Sequence, residues 1–243
     1  MPREWEWTCV VPMAGPAEVT HGFLAHIEPE HLPRFLLVDN SRDSHVRALN
    51  LEERGARVLY HPENLGCARS WNLALREGHE QTIICSASMR FDQGGFSAFL
   101  RVLERGANAY GMYTWDTWHL LSIGKATVEE IGLVDENFYP AYGEDLDYMR
   151  RMIVGNIIGG PPPHGGQHPL RHAPASCIGN GMAMRTGAVI VAHPDTWLEY
   201  YARKWGGGQA KETFDHPFGN PENSLKFWEP ATVDELKVRY KLV

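Results

Sequence analysis

Residues 135–147, DENFYPAYGEDLD, put five carboxylates and three aromatic rings into thirteen positions. The chemistry such a stretch can do is proton transfer, because a carboxylate held beside a bound ligand can take or give a proton. Pro140 and Gly143 both disfavour a helix interior, so the stretch is expected to be a loop that enters a helix near Glu144. Carboxylates suit the positive end of that helix, and loops carry a disproportionate share of functional residues. Glu144 and Asp145 are therefore candidates for acid–base work. A capped helix start with a solvated acidic face fits the same composition.

The elements that would position this stretch alternate along the chain. Residues 8–13 read as a short β-branched strand ending in a Pro/Gly loop, and residues 35–40, FLLVDN, as a second apolar strand that ends in a polar turn. Residues 57–60 and 82–85 supply two more strands. Helical patterns fall at 18–32, 44–53, 67–77 and 96–105, with Trp71, Leu73 and Leu75 as the buried side of the third. Apolar runs alternating with helices imply an α/β fold with a mostly parallel central sheet covered on both faces. Ligands of such sheets bind outside the carboxyl ends of the strands, which here are residues 12–15, 39–43 and 86–92.

The second half changes character. Residues 109–123 read as one or two strands with a turn, and Thr127 and Glu130 have the spacing of a capping box. The stretch GGPPPHGGQH at 159–168 is expected to be a lid-like loop. Trp197, Trp205, Trp228, Tyr200 and Tyr201 crowd the last third, and there is no internal repeat.

The totals narrow the classes. A formal charge of −7 without a basic tract makes nucleic acid a poor main partner. Cys9, Cys67, Cys85 and Cys177 are far apart without metal-ligand spacing, which reads as reduced thiols in a cytoplasmic protein. No apolar run approaches the roughly 20 residues of a membrane helix, and the opening MPREWEW lacks the pattern of a signal peptide.

With these pieces in order, the chain resembles the family-2 glycosyltransferases, which have the GT-A fold, and most closely their rhamnosyltransferase-like members. Four blocks carry the resemblance: VVPMAG, LLVDNSRD, ENLGCARSWNLAL and VEEIGLVDENFYPAYGEDLDYMRRM. The last is the most specific, because many positions match in an unbroken run. It covers residues 8–155, with a weaker match to about residue 218. The resemblance implies a nucleoside-diphosphate sugar as donor substrate. Asp39 would accept a hydrogen bond from the imide N–H of a uracil, thymine or guanine base, with Pro12 and Asp43 nearby; a plain Asx-turn is the competing reading. Asn64, Gly66 and Arg69 would lie along the donor where a loop becomes a helix, a place that favours anions. Asn64 as a helix cap competes with that role, and Asn72 faces the same choice. Asp145 would be the general base of an inverting transfer, with Glu144 beside it as orienter or sugar contact. Asp147 is assigned to structure, and Asp135 and Glu136 to fixing the loop. Trp115, Trp118 and His119 fall where family members contact donor sugar or acceptor.

One block departs from the pattern. The family places an Asp-x-Asp motif after the fourth strand to bind Mg²⁺ or Mn²⁺, and here CSASMRFD puts Ser88 at the principal metal position, with Ser86 before it. A serine hydroxyl is a weak ligand for a hard cation. The diphosphate would then be met by Arg90, Lys204 or helix N–H groups without metal, or by a loosely held metal with His172 or His193, or the site has lost activity. Lys204-Trp-Gly-Gly resembles a tail motif of some rhamnosyltransferase-like members and could close over the donor, with simple packing as the competing reading.

The resulting expectation is a GT-A core over 1–155, its nucleotide-binding half at 1–105 and acceptor half at 106–155, with a loop-rich extension at 156–243. The expected activity is inverting transfer of a hexosyl or deoxyhexosyl group to a glycan, protein or other hydroxyl acceptor. Two other classes stay in view: a non-catalytic sugar-nucleotide or glycan-binding module, and a nucleotidyltransferase. The missing Gly-rich pyrophosphate loop counts against the second.

Overall fold

The structure, a computed structural model, describes residues 6–41, 46–103, 109–114, 117–157, 175–177 and 194–240. The first four strands, β1 (Trp7–Met13), β2 (Phe35–Asp39), β3 (Arg57–Tyr60) and β4 (Gln81–Cys85), pair in parallel. A hairpin of β6 (Ala109–Thr114) and β7 (Thr117–Gly124) extends the sheet antiparallel along β4, giving six strands in the order β3-β2-β1-β4-β7-β6. A separate two-stranded ribbon pairs β5 (Met89–Phe91) with β8 (Ala175–Cys177).

Alternation within the parallel strands explains why both faces are apolar. Cys9, Val11, Phe35, Leu37 and Ile83 point to one face, which α1 (Ala17–Leu24) and α3 (Gly95–Leu103) cover with Phe23, Phe96 and Phe99. Val10, Val38 and Ile84 point to the other, where Trp71 of α2 (Gly66–Leu75), Ile131 of α4 (Lys125–Ile131) and Tyr148 of α5 (Glu144–Val154) close the second layer. Fully burying each large apolar side chain contributes about 1.5–3 kcal/mol, so these two layers dominate the favourable side of folding.

Several local expectations change. The pattern at 18–32 does not run as one helix: α1 stops at Leu24, and a 3-10 helix, Pro29–Arg34, follows, because Pro29 and Pro33 lack the N–H groups a continuing α-helix needs. Of 44–53, only the 3-10 turn Arg47–Leu49 forms, ended by Asn50 in a left-handed conformation, while residues 42–45 lie outside the described residues. Leu73 is only half-buried on α2, whereas Trp71 and Leu75 are buried. The expected capping box at Thr127 is absent: α4 is capped three residues earlier, at Gly124, and Thr127 is buried inside it. A true capping box forms instead at Thr232 and Glu235, opening α7 (Val233–Arg239). Between these, α6 (Pro194–Trp205) brings back the aromatic C-terminal segment against Phe138 and Leu146.

Gly66, at the head of α2, needs its missing side chain twice over. Its φ is +77°, and a Cβ would sit 2.8 Å from the Pro140 carbonyl oxygen and 3.0 Å from the Tyr139 ring. A left-handed alanine costs of order 1–3 kcal/mol before the clash is counted. Gly66→Ala is therefore expected to lower the urea midpoint at unchanged slope by at least about 1 kcal/mol in stability; an unaltered midpoint would show that the loop at 139–143 does not press on α2.

Candidate functional site

The site is built at the carboxyl edge of the parallel strands. Met13, Asp39 and Tyr60 lie level with one another across β1, β2 and β3. Asp39 is 5% exposed, and its Oδ1 accepts from the Ser41 backbone N–H at 3.0 Å and from the Ser41 hydroxyl at 2.5 Å. The Asx-turn is thus real, and it holds the carboxylate still at the strand end. Asn40, which composition did not single out, points to the opposite face: it donates to Ser70 Oγ and accepts from Leu65 N–H, stitching the end of β2 to the start of α2. Pro12 is half-buried and paired with Val38 in the same edge.

The turn into α2 is held by Asn64, whose Oδ1 accepts the Gly66 N–H at 2.8 Å. That bond shapes the turn rather than capping the helix, since Leu65 is the cap residue. Arg69 donates to the Ala231 carbonyl at 2.6 Å and lies 3.5 Å from Glu136, so its guanidinium bridges α2 to the C-terminal segment. Asn72 is fully buried and exchanges hydrogen bonds with both backbone groups of Val134, which makes it a clamp between α2 and the acidic loop.

That loop then meets the α2 turn directly. The Pro140 carbonyl accepts the Cys67 N–H at 2.8 Å, and the Tyr139 hydroxyl donates to the Asn64 carbonyl at 2.8 Å. Gly143, at φ +89°, turns the chain into α5; a side chain there would strike Phe138 at 2.6 Å. Glu144 and Asp145 follow at 5% and 7% exposure, so the solvated acidic face is excluded. Asp145 accepts its neighbour Leu146 N–H through Oδ1 at 2.8 Å. Glu144 leaves Oε2 buried without a partner among the described residues. Burial first, and the Asp145 charge second, push the Glu144 carboxyl well above the usual carboxylate range, against a smaller pull from the backbone N–H groups of Tyr142 and Glu144.

One turn beneath, charge is fully compensated. Lys204 Nζ lies 2.7 Å from Asp135 Oδ2 and 2.7 Å from Asp147 Oδ1, and all three side chains are 0% exposed. Arg151 binds Asp147 Oδ2 through Nε at 2.9 Å and donates to the Ile131 and Leu133 carbonyls. Trp205 Nε1 donates to Asp147, and Tyr200 donates to Asp135. Burial alone would raise the Asp147 carboxyl, but the Lys204 ammonium and the Arg151 guanidinium outweigh it and hold the group below its ordinary value. Lys204 was expected to reach the donor diphosphate. Its ammonium is instead sealed in the interior by two carboxylates and supports α5 from below.

The segment after β4 carries Ser86 and Ser88, beside His119 of β7. The two hydroxyls are 2.7 Å apart, Ser88 Oγ lies 3.4 Å from His119 Nδ1, and the Ser86 N–H donates to the His119 carbonyl. Arg90 commits its guanidinium to the carbonyls of Ala87, Met89 and Val19, fastening β5 to α1. Among the described residues no three His, Cys, Asp or Glu side chains gather to hold a metal. The two neutral hydroxyls and one ring nitrogen that gather here among the described residues do not fit a hard divalent cation, which wants charged oxygens. Asp43, Trp115, His172 and His193 lie outside the described residues; Trp118 sits on β7 opposite Tyr113, and its side chain is outside them too.

This architecture is that of the GT-A glycosyltransferases. A mannosyltransferase from Pyrobaculum calidifontis, solved in complex with GDP-Man and Mn²⁺, matches with a TM-score of 0.50 at 16% identity, over 63% of this chain and 53% of that one. A galactofuranosyl glycosyltransferase of Leishmania donovani is 37% identical over 51 residues, which are 20% of this chain and 12% of that protein. The chain thus spans about half the mannosyltransferase and a small part of the curated relative. No protein-family model matches the chain.

Two predictions follow from the carboxylates. Lys204→Met removes one partner of a buried cluster and leaves two carboxylates facing each other, so stability should fall by about 3–5 kcal/mol in urea unfolding; a loss under about 1 kcal/mol, the scale of an exposed pair, would contradict the burial of the cluster. For Glu144 the folded-state value lies above its ordinary 4.5, so its contribution to stability is complete below that pH and is lost as pH rises through the raised value. Glu144→Gln should therefore gain stability relative to the parent as pH rises from acid to neutral, and a pH-independent difference would refute the assignment.

Proposed function

We propose that the chain is an inverting glycosyltransferase that moves one sugar from a nucleoside-diphosphate sugar to an acceptor hydroxyl, belonging with the rhamnosyltransferase-like members of family 2. The observation that carries this reading is the direct junction of the two halves. The turn at Asn64–Gly66, beside the strand-end Asp39, is hydrogen-bonded to the loop that delivers Asp145. A nucleotide at the strand ends and a base at the head of α5 would then share one cleft. The GT-A fold and the glycosyltransferases among similar proteins support it.

On this reading Asp145 takes the acceptor proton as that oxygen attacks the anomeric carbon. The bond from that carbon to the β-phosphate oxygen breaks, and the nucleoside diphosphate departs with the bonding pair. Asp39 reads the base, with Pro12 and Asp43 beside it. Asn64, Gly66 and Arg69 shape the wall along the donor, and Trp115, Trp118 and His119 flank the transferred sugar or acceptor. Glu144 orients the sugar. No step is routed through Mg²⁺ or Mn²⁺, given the donor set at Ser86 and Ser88. Residues 1–155 form the core, and 156–243 an extension whose α6 braces α5. The free thiols of Cys9, Cys67 and Cys85 suit a reducing cytoplasm, and no helix among the described residues is long and apolar enough to cross a membrane.

Asp145→Asn preserves shape and removes the base. It should fold, keep donor affinity, and lose transfer by about 10²–10⁴-fold. Full transfer by a folded, donor-binding variant would eliminate Asp145 as the base. Donor binding by the parent chain without any nucleotide release, with or without acceptors, would favour a binding module.

A further inference from the structure

Resting on the proposal that Asp39 reads the nucleobase, we infer that Ser41 sets which base it reads, and that the donor carries uracil or thymine rather than guanine. A carboxylate has two oxygens, each with two lone pairs. The backbone N–H and the hydroxyl of Ser41 both end on Asp39 Oδ1, at 3.0 and 2.5 Å, and so fill that oxygen. Oδ2 has no partner among the described residues, in a side chain only 5% exposed at the carboxyl edge of β2. The acceptor offered to a ligand is therefore one oxygen.

The Watson–Crick edges of the bases ask different things of such a group. Uracil and thymine each present a single N3–H between two carbonyls, which one oxygen satisfies. Guanine presents N1–H and an exocyclic amino N–H side by side and needs two acceptors, so one donor would be buried unpaired. Cytosine turns a bare N3 lone pair towards the carboxylate and is repelled. The preference is locally encoded, because an Asx-turn between residues 39 and 41 forms within three residues of chain. It is also braced. Asn40 N–H donates to the Met13 carbonyl, and the Asn40 side chain is held by Ser70 and Leu65, so Asp39 has no freedom to swing and offer both oxygens. On the flank, Tyr60 lies level with Asp39, and the Arg47 guanidinium sits 4.6 Å from the Tyr60 ring centre, closing that side of the edge.

The test is calorimetric titration of the full chain with UDP, dTDP, GDP and CDP. UDP and dTDP should bind at least about tenfold tighter than GDP and CDP, the scale of one buried unpaired donor. Ser41→Ala frees one lone pair of Oδ1 and should narrow the UDP-to-GDP ratio several-fold, whereas Asp39→Asn should weaken UDP and dTDP at least about tenfold. GDP or CDP binding the parent chain as tightly as UDP overturns the inference about Ser41 while leaving sugar transfer standing. Failure of all four nucleotides to bind defeats the glycosyltransferase reading itself.

Discussion

Four charges buried from solvent hold this site together. Asp135, Asp147, Lys204 and Arg151 are all fully buried, and moving even one such ion out of water costs several kcal/mol after relaxation. The cluster is tolerable because the signs balance and both carboxylates are saturated. Asp135 accepts from the Asn137 backbone and side chain, Tyr200 and Lys204, and Asp147 from Trp205, Lys204 and Arg151. Three of these partners, Tyr200, Lys204 and Trp205, come from α6. The first helical turn of α5 is thus pinned by residues roughly 60 positions away in sequence, and Arg151 carries the same constraint to the end of α4 through the Ile131 and Leu133 carbonyls.

Beside that compensated cluster, the adjacent Glu144 carries a buried carboxylate oxygen, Oε2, that has no partner among the described residues. Asp145 and Asp147 are two residues apart on one helix, yet one faces two buried cations and the other a second carboxylate. Helix geometry produces the contrast, since residues two apart point to different sides of the cylinder. One side is locked into the interior, and on the other burial and the Asp145 charge raise the Glu144 carboxyl. Such a division suits a proton-transfer site, where rigidity below and an unsettled carboxyl above serve the same end. The α2 turn supplies the facing wall because Gly66 lets the Pro140 carbonyl come close.

The four parallel strands and their cover on both faces were legible because continuous apolar runs such as FLLVD allow little but a doubly covered parallel strand. The loop at 135–143 and the start of α5 at Glu144 were legible from Pro140 and Gly143. Other features were not. Lys204 read as a donor contact because sequence carries no signal for a partner 69 residues earlier. Thr127 carried a capping signature that burial and the start of α4 at Lys125 overrode. Asn40 was passed over because its value lies in spanning from β2 to α2, a distance only the folded sheet defines. Arg90 read as an anion-binding residue, and three backbone carbonyls claim it.

The proposed reaction is a single displacement with Asp145 opposite the leaving group. It is tested most directly by proton NMR of the first-formed product, from the coupling constant of its anomeric proton. The expected configuration is opposite to that of the donor. Retention would require a different chemistry at the anomeric carbon and would contradict the role assigned to Asp145.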